Sequence, residues 1–80
     1  MTILPKELYL YSTSHCHLCE LAEALLIEST EKLVEVIEIA NDDRLLSQYG
    51  LRIPVLKRLD TNAELGWPFN SNDIALFLRD

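Results

Sequence analysis

The chain has 80 residues, about half the usual domain length, so we expect one domain over residues 1–80. Apolar residues make up 49% and charged residues 25%, which excludes disorder, and two Gly with three Pro exclude a collagen-like chain. Thirteen acidic against seven basic residues give a net charge of −6. This balance disfavours nucleic acid and anionic membranes as partners, because phosphate contacts need clustered Lys and Arg.

The hydropathy pattern also argues against a membrane protein. The longest stretch without Asp, Glu, Lys or Arg is Leu8–Cys19, twelve residues, whereas a membrane span needs about 18. The N-terminus carries one lysine, Lys6, and no basic flank ahead of an apolar run. We therefore expect no signal peptide and a cytoplasmic location.

The only cysteines are Cys16 and Cys19, in a C-x-x-C spacing. A bridge across two intervening residues closes a very small loop and adds little stability as a structural staple. In a protein without a secretion signal, such a pair is more often redox-active or metal-binding. The surrounding elements must distinguish these two uses.

The first half of the chain predicts a strand, a helix and a second strand. Leu8–Thr13 alternates and is rich in aromatic and β-branched residues, which is typical of a strand. Leu33–Ile39 predicts a strand covered on both faces, because its apolar run is nearly continuous. Between them, His17–Glu28 predicts a helix with Ser14 as its N-cap. Its apolar stripe follows the helical period: Leu18, Leu21, Ala22, Leu25 and Leu26.

Next comes a short helix capped by Asn41. Its predicted buried residues are Leu45, Leu46 and Tyr49, and Gly50 is expected as the C′ residue that ends it. Ile53–Arg58 then predicts a third strand with Pro54 near its start.

A turn at Asp60–Asn62 leads to a short fourth strand, Glu64–Gly66. The last helix is capped by Asn70 or Ser71 and has an apolar stripe: Ile74, Phe77 and Leu78. The resulting order is β-α-β-α-β-β-α. The first two strands should be parallel and the last two antiparallel. We therefore expect an α/β fold in which three helices flank a four-stranded mixed sheet on both faces.

A C-x-x-C between a strand end and a helix start, inside a β-α-β unit, is the context of a thioredoxin-like redox motif. Over residues 7–79 the chain resembles a small glutaredoxin-like protein of the thioredoxin fold. Four segments carry the resemblance: Leu8-Tyr9-Leu10-Tyr11-Ser12-Thr13, Cys16-His17-Leu18-Cys19, Arg52-Ile53-Pro54-Val55 and Gly66-Trp67-Pro68-Phe69. The resemblance implies a thioredoxin-like architecture in which Pro54 is cis and faces the dithiol.

The resemblance also implies thiol–disulfide exchange, with Cys16 as the nucleophile and Cys19 as the resolving thiol. Physical chemistry supports this order, because a thiol at a helix N-terminus faces unpaired N–H groups and the positive end of the helix dipole. Both favour the thiolate. His15 and His17 flank Cys16, and either one would stabilise the thiolate further if protonated. The alternative is that both are solvated loop histidines.

Further substrate-binding residues are implied at the Pro54 segment. The backbone of Ile53 would pair with a bound peptide or glutathione like an added strand, and Pro54 would shield the dithiol from metal ions. Arg52 would hold a carboxylate, or is a plain surface arginine. Trp67 would line the groove together with Phe69, or both belong to the core.

The resemblance sets the expected partners. These are protein or low-molecular-weight disulfides, with glutathione as a candidate co-substrate. The protein itself is expected to be a monomer with no bound cofactor and no metal. The interior of the motif is His17-Leu18, however, where glutathione-dependent glutaredoxins usually carry Pro-Tyr. They also usually place Gly-Gly and an Asp before the last helix, where this chain has Trp-Pro-Phe after Gly66.

Two other functions remain open on the sequence. The cysteines could serve a metal or iron–sulfur carrier, although a closed zinc site needs four ligands and a monomer would need the others from a second chain or glutathione. The chain could also be an adaptor that keeps the fold without redox turnover.

Overall fold

The computed structural model describes residues 6–79. The chain order of elements is the predicted β-α-β-α-β-β-α. The strands are β1 (Leu8–Ser12), β2 (Val34–Glu38), β3 (Val55–Arg58) and β4 (Glu64–Gly66), and the helices are α1 (His17–Ser29), α2 (Asp43–Tyr49) and α3 (Ser71–Phe77). Within the described residues, none of these helices has the length and apolar character needed to cross a membrane.

The four strands form one mixed sheet in the order β2-β1-β3-β4. Strand β1 is parallel to β2 and antiparallel to β3, and β3 is antiparallel to β4. The two predicted pairings, parallel β1–β2 and antiparallel β3–β4, are therefore confirmed, and the β1–β3 pair is one that the sequence analysis did not predict. Its consequence for function is geometric: the ends of β1, β2 and β4 and the start of β3 all lie at the same end of the sheet.

Side chains alternate across the sheet and build two apolar cores, one on each face. The first core packs α1 and α3 against the sheet and consists of Leu8, Leu10, Ala22, Leu26, Leu56, Phe69 and Ile74. The second lies on the α2 side and consists of Tyr11, Ile39, Tyr49 and Val55. Helices therefore cover both faces, as the sequence predicts.

The predicted apolar stripe of α1 is partly wrong. Leu18 and Leu21 are each 45% exposed, whereas Cys19, Ala22 and Leu26 are at most 2% exposed. The buried line of the helix thus starts at the second cysteine and continues at three and four residue intervals. This phase places Cys19 inside the protein.

Strand β2 is covered on both faces only in part, since Val34 packs against the first core and Ile37 against the second. It is an edge strand that pairs only with β1, and its Val36 is 43% exposed. The strand is also shorter than predicted, and the buried apolar residue of this segment is Ile39, which follows the strand. An apolar run of this kind does not by itself distinguish an edge strand from a central one.

Helix α2 begins one residue later than expected. Its N-cap is Asp42 and not Asn41, because Asp42 Oδ1 accepts hydrogen bonds from the N–H groups of Arg44 (2.9 Å) and Leu45 (3.2 Å). Both residue types cap helices well, so the sequence leaves this choice open by one position.

The end of α2 also differs from the expectation. Leu46 is 41% exposed and is not part of the core, whereas Tyr49 is 1% exposed. Gly50 ends the helix as its C-cap in a right-handed conformation (φ −53°). Its N–H donates to the Leu46 carbonyl at 2.9 Å. The left-handed C′ role is therefore wrong for Gly50.

Helix α3 starts from a reciprocal capping box. Asn70 Oδ1 accepts the Asp73 N–H and Asp73 Oδ2 accepts the Asn70 N–H, both at 2.9 Å. Asn70, of the two candidates, is thus the cap. Within the predicted stripe Ile74 is fully buried, and Phe77 is partly buried against the first core.

Candidate active site

Three loops meet at the end of the sheet where β1 and β2 stop. Ser12 faces Glu38 as the last β1–β2 pair, and Tyr11 faces Val55 at the start of β3. Val55 in turn faces Gly66, the last residue of β4. The C-x-x-C loop, the Ile53–Pro54 segment and the Trp67 loop therefore come to one end of the sheet through strand register alone.

Cys16 is the N-cap of α1. Its backbone is extended (φ −101°, ψ 103°), and its Sγ accepts the Cys19 N–H at 3.2 Å. The two cysteines form a disulfide with their Cα atoms 5.2 Å apart. The expected N-cap, Ser14, lies outside the helix, and its hydroxyl donates to Glu38 instead (2.9 Å). The sulfur thus occupies the position where orphan N–H groups and the helix dipole favour negative charge.

The two cysteines differ in their access to solvent. Cys19 is 1% exposed and belongs to the buried face of α1, whereas Cys16 is partly exposed. A reagent approaching from solvent therefore meets Cys16 first. Burial supports the predicted division of roles independently of the hydrogen bond at the helix N-terminus.

A cleft of about 250 Å³ opens beside the disulfide, between α1 and the end of β2. The lining groups that bear sulfur or titrate are His15, Cys16, Cys19, Glu20, Glu23 and Glu38. His17 points elsewhere: its side chain is 80% exposed, with Nδ1 3.9 Å from the Glu20 carboxylate. Of the two candidate histidines, only His15 thus lines the cleft with the cysteines.

Glu38 is a site residue that the sequence did not indicate. Its carboxylate accepts hydrogen bonds from the Ser14 N–H (3.0 Å) and hydroxyl, and from the Ala40 N–H (3.1 Å). The Ala40 N–H and the hydroxyls of Thr13 and Ser14 hold the pKa of this carboxyl at about 2. Its partner Ser14 lies 24 residues earlier, so no local pattern could have identified it.

The peptide bond between Ile53 and Pro54 is cis, as the resemblance implied. The Pro54 carbonyl accepts the Trp67 N–H at 3.1 Å, which ties this segment to the loop after β4. The Ile53 N–H donates to the Tyr49 carbonyl, also at 3.1 Å. It is therefore already bonded within the chain, and the expected strand-like pairing with a peptide would have to displace that bond.

The other implied binding residues have internal partners. Arg52 holds a carboxylate, but it is the carboxylate of Glu64, with Nη2 to Oε1 at 3.0 Å. Trp67 packs partly buried against the first core, with its ring edge-on to Phe69 at 5.0 Å between centroids. Phe69 is 5% exposed and so belongs to the core. The Trp67–Pro68 bond is a second cis bond, which nothing in the sequence predicted.

Metal binding finds no ready arrangement in the part of the chain that the structure describes. Residues 6–79 contain no group of three or more His, Cys, Asp or Glu side chains placed to hold a metal ion. What this end of the sheet does contain is a two-cysteine disulfide at a helix N-terminus.

Two solved structures of protein XcR50 from X. campestris are similar to this chain. The X-ray structure has 37% sequence identity and a TM-score of 0.83, with 89% of this chain and 93% of that chain covered. The solution structure has 36% identity and a TM-score of 0.81, with 90% and 91% covered. The solution structure of protein Ne2328 from Nitrosomonas europaea has 30% identity and a TM-score of 0.75, with 99% and 98% covered.

These likenesses agree with the α/β, thioredoxin-like architecture expected from the sequence. A search of curated proteins finds no match. The family model described as "Glutaredoxin-like domain (DUF836)" matches residues 7–79, nearly the whole chain. The chain therefore belongs to the glutaredoxin-like domain family (DUF836).

Proposed function

We propose that this protein is a thiol–disulfide oxidoreductase with Cys16 as the nucleophile and Cys19 as the resolving thiol. One observation carries the proposal: the sulfur of the partly exposed Cys16 accepts a helix N-terminal N–H while bonded to the buried Cys19. This environment favours the Cys16 thiolate over the Cys19 thiolate, because Cys19 lies one turn farther from the positive end of the dipole.

The proposed reaction moves two electrons from the dithiol to a substrate disulfide. The Cys16 thiolate attacks one substrate sulfur, a bond forms between them, and the other substrate sulfur leaves as a thiolate and takes up a proton. Cys19 then gives up its proton and attacks the Cys16 sulfur. This step forms the Cys16–Cys19 bond and releases the second substrate thiol. Two thiol equivalents from a reductant return the protein to the dithiol.

The proposed substrates are protein or low-molecular-weight disulfides, with glutathione as the candidate reductant and with no bound cofactor. In this proposal the protein acts as a monomer in the cytoplasm. The negative net charge of −6 supports leaving nucleic acid and membranes out of the partner set. His15, which lines the cleft with the cysteines, is the proposed substrate contact beside the disulfide, whereas peptide pairing at Ile53 would have to displace its bond to the Tyr49 carbonyl.

The test is the reduction potential of the cysteine pair. The protein is equilibrated in glutathione buffers of graded ratio, the free thiols are alkylated, and the species are counted by intact mass. We expect a two-electron couple between about −180 and −270 mV, the range of known thiol oxidoreductases. Glutathione adducts appear in the same spectra as a mass increase.

A pair of matched variants tests whether the Cys16–Cys19 redox couple carries out disulfide exchange. Cys16→Ser should abolish disulfide exchange, whereas His17→Ala, which changes an exposed side chain outside the cleft, should retain it. Exchange activity in Cys16→Ser equal to that of the parent would exclude the proposed mechanism. The metal-carrier alternative would be favoured instead if both thiols were protected from alkylation by a bound metal.

A further inference from the structure

Glu38 links two chain segments that diverge at the proposed site. Ser12 and Glu38 form the last pair of the β1–β2 ladder, and its last backbone bond runs from the Ile39 N–H to the Ser12 carbonyl (3.0 Å). Beyond that bond, one segment turns toward α1 and the other toward α2. Glu38 Oε1 accepts both the N–H and the hydroxyl of Ser14, while Oε2 accepts the Ala40 N–H. The Glu38 side chain thus connects the two segments beyond the point where the backbone hydrogen bonds between β1 and β2 end.

The turn that Glu38 holds has a backbone conformation that L residues disfavour. His15 has φ 60°, in the left-handed region. Among residues 6–79, Asn62 is the only other non-glycine residue with positive φ, and Asn and His both adopt that region more often than most residues. The contacts around the turn hold His15 in this sparsely populated conformation. Glu38 supplies two of them at Ser14, and Cys16 follows His15 directly.

We infer that Glu38 is a positioning residue for Cys16: its carboxylate fixes the Ser14–His15 turn and thereby keeps the Cys16 sulfur at the Cys19 N–H. The inference rests on the proposed function, because it explains how the nucleophile is placed. Glu38 acts through the chain and does not touch the reacting atoms. By placing the Cys16 sulfur, Glu38 favours the Cys16 thiolate. The negative charge of Glu38 disfavours the same thiolate, so the experiment must separate the two effects.

Two variants weaken the placement and keep the charge. Glu38→Asp draws the carboxylate back by one methylene, about 1.5 Å, which breaks contacts that are now 2.9 to 3.1 Å long. Ser14→Ala deletes the hydroxyl donor and leaves Glu38 in place. The matched control is Glu23→Gln, which removes a carboxylate from the same cleft and leaves the turn intact.

The measurement is the pH profile of Cys16 alkylation by iodoacetamide in the reduced protein, read by peptide mass spectrometry. The titratable groups that line the cleft with Cys16 are His15 from the loop, Cys19, Glu20 and Glu23 from α1, and the residue at position 38, and His17 follows Cys16 in the chain. We expect the Cys16 pKa to rise by about 0.5 to 1 unit in Glu38→Asp. It should rise by less in Ser14→Ala and should not rise in Glu23→Gln.

Two outcomes would overturn the inference. One is a Cys16 pKa in Ser14→Ala or in a folded Glu38→Asp that equals the parent value. The other is a rise in Glu23→Gln as large as in Glu38→Asp. Thermal unfolding checks the fold, and if Glu38→Asp does not fold, Ser14→Ala decides alone. Alkylation needs no disulfide substrate, so the profile can be measured even in a protein that fails the exchange assay. A failure of the proposed function is therefore distinguishable from a failure of this inference.

Discussion

The Tyr49 hydroxyl donates a hydrogen bond to the Glu64 carboxylate and so joins the last turn of α2 to β4. The same carboxylate accepts Arg52 Nη2, and the Arg52 guanidinium lies 5.4 Å from the Tyr49 ring centroid. The Tyr49 ring also stacks on Tyr11 at 4.1 Å between centroids. These contacts hold the end of α2 and the residues that lead into β3 against β4. The Ile53–Pro54 segment follows Arg52 and leads toward the proposed site.

Tyr49→Phe should lower the free energy of unfolding by about 1 to 2 kcal/mol, because the Glu64 carboxylate loses one of its two donors and keeps only Arg52. Urea denaturation measures the change. The matched control is Tyr9→Phe, since Tyr9 lies partly buried on the same face and its hydroxyl makes no hydrogen bond within the described residues. Equal losses in the two variants would show that the Tyr49–Glu64 bond contributes no net stability.

Acid should destabilise the protein through Glu38. Its folded pKa of about 2 lies below the ordinary value of 4.5, so the folded state binds this proton less readily than the unfolded chain. The stability that the ionised Glu38 contributes is therefore fully present above pH 4.5 and is lost as the pH falls toward 2. An NMR titration of the Glu38 carboxyl should give a midpoint of about 2 in the parent and a higher one in Ser14→Ala. A parent midpoint at the ordinary value would contradict the hydrogen bonds described here.

The two glycines should respond oppositely to alanine. At Gly50 an added Cβ would lie 2.5 Å from the Leu46 carbonyl oxygen, whereas at Gly66 it would meet nothing within 4 Å. Gly50→Ala should therefore cost about 1 to 3 kcal/mol through forced backbone movement, although its φ of −53° suits any residue. Gly66→Ala should leave the free energy of unfolding unchanged or raise it by up to about 1 kcal/mol, because alanine lowers the conformational entropy of the unfolded chain. Urea denaturation of the two variants side by side tests both values.

The sequence was sufficient for the order of the elements and for two of the three strand pairings, whereas the β1–β3 pairing was not predicted. Periods of 2 and 3.6 distinguish strands from helices locally, and short connections then fix which strands are antiparallel. The strand-to-helix position of Cys16 followed from the same patterns. The cis bond before Pro54 did not, because only about 5 to 6% of X-Pro bonds in folded proteins are cis. The family resemblance supplied it.

What the sequence could not supply depends on contacts distant along the chain. Ser14 is a good N-cap by type, but its hydroxyl bonds to Glu38 in a neighbouring strand, and a cysteine sulfur takes the cap position. The exposure of Val36 depends on strand order, which its own segment does not encode. On α1 the apolar residues are too numerous to fix which face is buried, so the burial of Cys19 was missed.

That burial leads to the last prediction, on the asymmetry of the two thiols. Cys19→Ser should accumulate a glutathione mixed disulfide on Cys16 when mixed with oxidised glutathione, because the exposed thiolate still attacks and no resolving thiol remains. Cys16→Ser should stay largely unmodified, because its remaining thiol is 1% exposed in the parent and lies within α1. Intact mass over time gives both rates, and we expect them to differ at least about tenfold. Adducts forming equally fast in both variants would mean that Cys19 is as accessible as Cys16, and burial could then no longer assign the two roles.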